Sequence, residues 1–124
     1  MADEIVVRVP ATTGHIGLLR STATALAARL DFTYDRLTDL HIAIDEVCGR
    51  ILATSDPQAR HLEARFVVQD DDVTVTLTGD GKLKPGAEFM NPWSKIILES
   101  IAGDVDVSER DGSVVASFHV GGTG

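Results

Sequence analysis

Leu40-His41-Ile42-Ala43-Ile44-Asp45-Glu46-Val47-Cys48-Gly49-Arg50-Ile51-Leu52 carries its apolar side chains at Leu40, Ile44, Val47, Cys48 and Ile51. Intervals of three and four put those side chains on one stripe of an amphipathic helix. Leu37 extends the stripe toward the N-terminus, Thr33 with Asp35 supplies a helix start, and Ser55-Asp56-Pro57 supplies the stop. Beside the apolar stripe runs a second line, Arg36, Asp39, Ala43, Glu46 and Arg50. Glu46 and Arg50 are four residues apart, so their side chains can meet. On residue type alone they read as a surface ion pair worth about 0.3–0.5 kcal/mol.

Upstream, Ile16, Leu19, Ala23, Leu26, Ala27 and Leu30 repeat the helical spacing over Gly14–Leu30, with a turn and cap at Thr12-Thr13-Gly14. Ile5–Val9 alternates around Arg8 and ends at Pro10, the pattern of a short strand. Downstream, Leu62–Val68 and Val73–Leu77 form a hairpin with one wet face, turning at Asp70-Asp71-Asp72. Thr78–Met90 holds three glycines, Lys82, Lys84 and Pro85 and reads as a mobile loop. Asn91-Pro92 opens a third helix that Gly103 closes. Trp93, Ile96, Ile97, Ser100 and Ile101 are expected on its buried face, with Trp93 as the core anchor. Val105–Ser108 and Ser113–Val120 pair across Asp111-Gly112, and residues 121–124 read as a disordered tail.

The order β-α-α-β-β-loop-α-β-β predicts an α/β fold of the α+β two-layer kind: a mixed, mostly antiparallel sheet with three helices on one face, as a single domain over residues 1–120. The chain has 124 residues, 44% of them hydrophobic, which suffices for a core. Acidic residues number 19 against 11 Lys plus Arg, and there is no Lys/Arg run, so direct nucleic-acid binding is not expected. An acidic domain does suit a basic protein that itself binds nucleic acid. No apolar stretch has the length of a membrane span, and MADEIVVRVP is not a secretory signal, so the expected location is the cytoplasm. Cys48 has no second thiol and reads as a small buried hydrophobe. His15, His41, His61 and His119 show no ligand spacing, no G-x-S-x-G motif is present, and no metal site is expected.

The stretch Leu18–Ile51 resembles, without a gap, the anti-sigma-factor serine-protein kinases of the histidine-kinase-like ATPases, whose Bergerat fold has this element order. The likeness continues more weakly to about Val120. The family's N-box runs close to A-V-S-E-A-x-T-N-A, against Ala43-Ile44-Asp45-Glu46-Val47-Cys48-Gly49-Arg50-Ile51 here. The resemblance implies that Glu46 corresponds to the glutamate that orients or activates the attacking group, and Arg50 to the asparagine that holds Mg²⁺. An arginine is a fixed cation and does not ligate a metal. There it would repel Mg²⁺, pair with Glu46, or touch nucleotide phosphates directly. The family's D-x-G-x-G motif corresponds to Thr78-Gly79-Asp80-Gly81-Lys82-Leu83, with Gly79 at the adenine-reading aspartate; Asp80 serves only if the register slips by one. The later phosphate-cradling G-x-G motif corresponds to Asn91-Pro92-Trp93-Ser94-Lys95 and has no glycine.

The expectation is therefore an anti-sigma factor with weak or lost nucleotide binding and kinase activity. ATP and Mg²⁺ would bind only if the altered site, with Arg50, Asp80 and Gly81, still accepts them, and Glu46 would be vestigial. The resemblance places partner binding on the first helix, with Arg20 at the family's central arginine; Leu18, Ser21 and Thr24 lie off the buried stripe around it and complete the expected surface. It implies as partners a sigma factor, an anti-anti-sigma factor of the STAS type and a second copy of the chain as a homodimer. Two alternatives stand beside it. One is an active Mg-ATP-dependent serine kinase that phosphorylates an anti-anti-sigma factor, with Glu46 as base. The other is an unrelated small protein-binding module.

Overall fold

The computed structural model describes residues 3–122. The elements are β1 (Asp3–Pro10), α1 (Thr13–Arg29), α2 (Tyr34–Thr54), β2 (His61–Gln69), β3 (Asp72–Gly79), α3 (Pro92–Ala102), β4 (Asp106–Arg110) and β5 (Ser113–Gly121). They form one five-stranded sheet in the order β1-β2-β3-β5-β4. Leu62, Ala64, Phe66 and Val68 of β2 alternate with wetter residues, as do Val73, Val75 and Leu77 of β3 and Val114, Ala116, Phe118 and Val120 of β5. Period-two alternation thus gives the sheet one dry face, and the apolar stripes of the helices cover it. α1 lies over β1, α2 over β3 and β5, and α3 over β5.

Every strand pair is antiparallel, so the expected mixed sheet contains no parallel pair among the described residues. With two consecutive helices between them the chain turns back three times from β1 to β2, which returns β2 antiparallel to β1. The single helix α3 would leave β4 parallel to β3, but β5 sits between them and runs against both. Asp111 and Gly112 both take positive φ, 52° and 78°, as a two-residue hairpin turn requires. No helix among the described residues is long and apolar enough to cross a membrane.

Three local expectations are corrected. Trp93 and Ile96 are 70% and 64% exposed, and α3 buries Ser94, Leu98 and Ala102 instead. Apolar residues cover most of this short helix, so spacing alone left its rotation open. Gly121 belongs to β5 opposite Asp72, and Gly122 bonds to Asp71 and to Thr33, so these two are not part of a disordered tail; residues 123–124 lie outside the described residues. The third correction concerns the segment after β3. It is fastened to α2: Asp56 N–H donates to the Lys82 carbonyl and Lys84 N–H to the Thr54 carbonyl, both at 2.7 Å, around a Ser55–Leu83 bridge.

Candidate functional site

The flank of α2 that carries Glu46 and Arg50 faces α3 and the segment leading into it. Asn91 caps α3, its side-chain oxygen accepting from the Ser94 amide at 2.7 Å, with Pro92 at the first helical position. That cap turns the Ser94 hydroxyl inward, where it donates to Glu46 Oε1. Ser94 has no exposed surface, so the carboxylate is what satisfies its hydroxyl. One turn further along α2, Arg50 does not pair with Glu46. Its Nε donates to the Phe89 carbonyl at 2.5 Å and its Nη2 to the Glu88 carbonyl at 3.1 Å. A charged donor fork on two main-chain carbonyls strongly fixes the end of the segment before α3.

Gly79 packs against the same helix. A Cβ built on it would lie 2.4 Å from Ile51 Cγ2, so Ile51 occupies the space a side chain at residue 79 would need. The N-box pattern quoted above has alanine at the position of Ile51 and the D-x-G-x-G pattern has aspartate at Gly79. Here the larger residue has moved from the strand to the helix. That exchange is written in the sequence, but it has meaning only once residues 51 and 79 are known to touch. Gly81 is hemmed in by backbone, its Cβ position being 2.4 Å from the Pro57 carbonyl oxygen.

Asp80 stands apart from Glu46 and Arg50. It borders a shallow depression with Arg8, Glu63 and Thr78 on the open side of the sheet. Its carboxylate accepts from the amides of Arg60 at 2.6 Å and His61 at 2.8 Å and from the His61 ring at 3.1 Å. Burial pushes its pKa up, but the His61 amide, the His61 ring and the Arg60 amide outweigh burial and hold it at about 2. The structure therefore keeps Glu46 and Arg50 together facing α3, sets Gly79 under Ile51 on the buried stripe of α2, and leaves Asp80 on the open side of the sheet.

α1 and α2 pack antiparallel, with Arg20 Nη1 on Asp45 Oδ1 at 2.6 Å and Thr24 Oγ1 within 2.8 Å of His41 Nε2. Leu18 and Ser21 face outward, Leu18 being 52% exposed. Arg20 is thus oriented by a carboxylate that sequence reasoning missed. Ser94 was missed as well; its signal was its place three residues after the Asn91 cap.

No protein-family model matches the chain. It is 33% identical over 82 residues to the serine-protein kinase RsbW of Bacillus subtilis (strain 168), covering 64% of this chain and 51% of that protein. It is 34% identical over 108 residues to the RsbW of Bacillus cereus (strain Q1), 86% of this chain and 62% of that one. Against the RsbW of Bacillus pumilus (strain SAFR-032) the match is weaker but longer, 22% over 135 residues and 92% of this chain. The chain belongs to the RsbW-like family. It spans about half the length of the first of these relatives. The crystal structure of the RsbU and RsbW domains of Rv1364c from Mycobacterium tuberculosis superposes on 95% of this chain and 32% of that one, with a TM-score of 0.66 at 13% identity. That likeness shows the fold of the RsbW-like family and agrees with the histidine-kinase-like fold expected from the sequence.

Proposed function

We propose that this member of the family is a cytoplasmic anti-sigma factor that holds a sigma factor through α1 and yields it to an anti-anti-sigma protein, without phosphoryl transfer of its own. The observation that carries the second half is the Arg50 guanidinium on the Glu88 and Phe89 carbonyls, at the place the resemblance gives to a magnesium-holding asparagine. A cation there opposes Mg²⁺, and phosphoryl transfer relies on that metal to neutralise developing charge. Ile51 against Gly79 supports the same reading, because it fills the place of the adenine-reading aspartate. The residues present do not fit a magnesium-bound nucleotide, and none of the chain's own groups is assigned a catalytic step. Glu46 serves as the acceptor for Ser94.

Binding itself needs no chemistry. Two partners that use overlapping parts of the Leu18, Arg20, Ser21 and Thr24 surface compete by mass action, and the more abundant one prevails. Calorimetric titration with Mg-ATP is expected to give no micromolar binding. Arg20→Glu sets a carboxylate against Asp45, so the better variant is Arg20→Glu with Asp45→Arg, which keeps the ion pair and moves the charge. It should weaken capture of sigma factor or antagonist at least tenfold while circular dichroism is unchanged; undiminished capture removes Arg20 from the interface. Size-exclusion chromatography with light scattering tests the homodimer.

A second reading, the active serine kinase, is favoured by Glu46 being retained and by the relatives being serine-protein kinases. Phosphate transfer from Mg-ATP to a serine of an anti-anti-sigma partner would establish it.

A further inference from the structure

β4 is one of the two outer strands of the sheet, so the main-chain groups on its far side pair with no strand among the described residues. Such an edge is a template for a further strand. Between the start of β4, at Asp106, and the flank of α3 that points away from α2 lies a groove of about 650 Å³. Its apolar floor is Leu98 with the partly buried Met90 and Val105, all packed on the core. Glu88, Glu99, Asp104 and Asp106 line it. Lys95, the one cation along the groove, pairs at 4.0 Å with Glu99. The other three carboxylates are in no ion pair among the described residues. An edge, an apolar floor and an excess of negative charge therefore coincide.

We propose that the α3–β4 groove docks an extended cationic segment of a partner protein, added as a strand to β4. Successive residues of a strand point to opposite faces, so a segment alternating apolar and Lys or Arg residues sends one set onto Met90 and Val105, above the buried Leu98. Its cations meet Asp104, Asp106 and Glu88 at the rim, where charge complementarity sets partner choice and encounter rate. A helical segment would leave the β4 edge unused, and the carboxylates repel phosphate-bearing ligands. No residue of the groove lies on α1 or α2, so the inference goes beyond the anti-sigma reading and stands without it.

The test is anisotropy of a labelled peptide of about ten residues alternating Lys and Val, long enough to cover a five-residue strand and its ends. Amide shifts of the ¹⁵N-labelled full chain are followed in parallel. The expected result is saturable binding that shifts Asp106–Arg110 amides and weakens about tenfold from about 50 to about 500 mM salt. Asp104→Lys with Asp106→Lys should lose at least tenfold, whereas Asp3→Lys with Asp35→Lys should change binding less than about threefold. Equal binding to the charge-reversed variant, to a Glu-Val peptide or to a blockwise Lys-Lys-Val-Val peptide would overturn the proposal, as would shifts confined to other elements. The salt dependence of the unaltered chain decides the matter if the variant fails to fold.

Discussion

Adding a single methyl group at Gly79 tests how the buried stripe of α2 packs on β3. The new Cβ would stand 2.4 Å from Ile51 Cγ2, well inside the ~3.8 Å at which carbon atoms rest. Ile51 is fully buried on α2 within the close-packed core. Gly79→Ala should therefore destabilise the fold by about 1–3 kcal/mol through overpacking. Ile51→Ala alone leaves a cavity and should cost about 2–5 kcal/mol. In the Ile51→Ala background the sign of the first change reverses. The added methyl group then fills part of the cavity, and alanine is about 0.5–1 kcal/mol better than glycine within a strand. The remaining neighbours, Ala59 Cβ at 3.4 Å and Leu62 Cδ2 at 3.7 Å, tolerate it. A double-mutant cycle by urea unfolding should thus show a favourable coupling of about 2–3 kcal/mol, at the upper end of values for touching residues. If Gly79→Ala has the same effect in both backgrounds, Ile51 does not occupy the space beside residue 79, and the support drawn from it for a nucleotide-free site disappears.

Other perturbations probe neighbouring features. Arg50→Ala removes the two bonds to the Glu88 and Phe89 carbonyls and should speed proteolysis and amide exchange around residues 84–91, with a stability loss of about 1–3 kcal/mol. Glu46→Ala orphans the fully buried Ser94 hydroxyl and should cost about 1–2 kcal/mol, whereas Ser94→Ala, which leaves only a half-buried carboxylate to rehydrate, should cost less by the same urea assay. Asp80 has a folded pKa of about 2 against the usual 3.8, so its stabilisation is full above about pH 4 and is lost as pH falls through about 2. Because its side chain is 37% exposed, Asp80→Asn should cost only about 1 kcal/mol at pH 7, and the gap to the unaltered chain should close in urea melts taken down through that window. Burial first, then Asp45, raises the Cys48 thiol to about 12 against the opposing pull of Arg20, so labelling by a thiol reagent at pH 8 should proceed only as fast as the chain unfolds.

The sequence by itself determined the elements and the layer they form. The 3.6-residue spacing of α2, the Thr33 and Asn91 caps and the Asp111-Gly112 turn are local signals, set by neighbours a few residues apart, and each stands where its residues put it. The alternation of β2, β3 and β5 likewise fixed which side of the sheet is dry. The quoted motif at Ala43–Ile51 was enough to point to the family. What only the tertiary structure decided was the meeting of residues distant in the chain. Arg50 could reach Glu46 by helical spacing, yet two carbonyls some forty residues away, backed by the rest of the fold, hold it instead. α3 had apolar residues on most of its surface, so its rotation waited on the Asn91 cap, the Glu46–Ser94 bond and the core beneath Leu98. Gly79 read only as a lost aspartate and Ile51 only as a core residue until packing put one in the space the other vacates. Periodicity records which residues want to be dry; which of them touch is settled by close packing of the whole core, and the candidate site is made of those contacts.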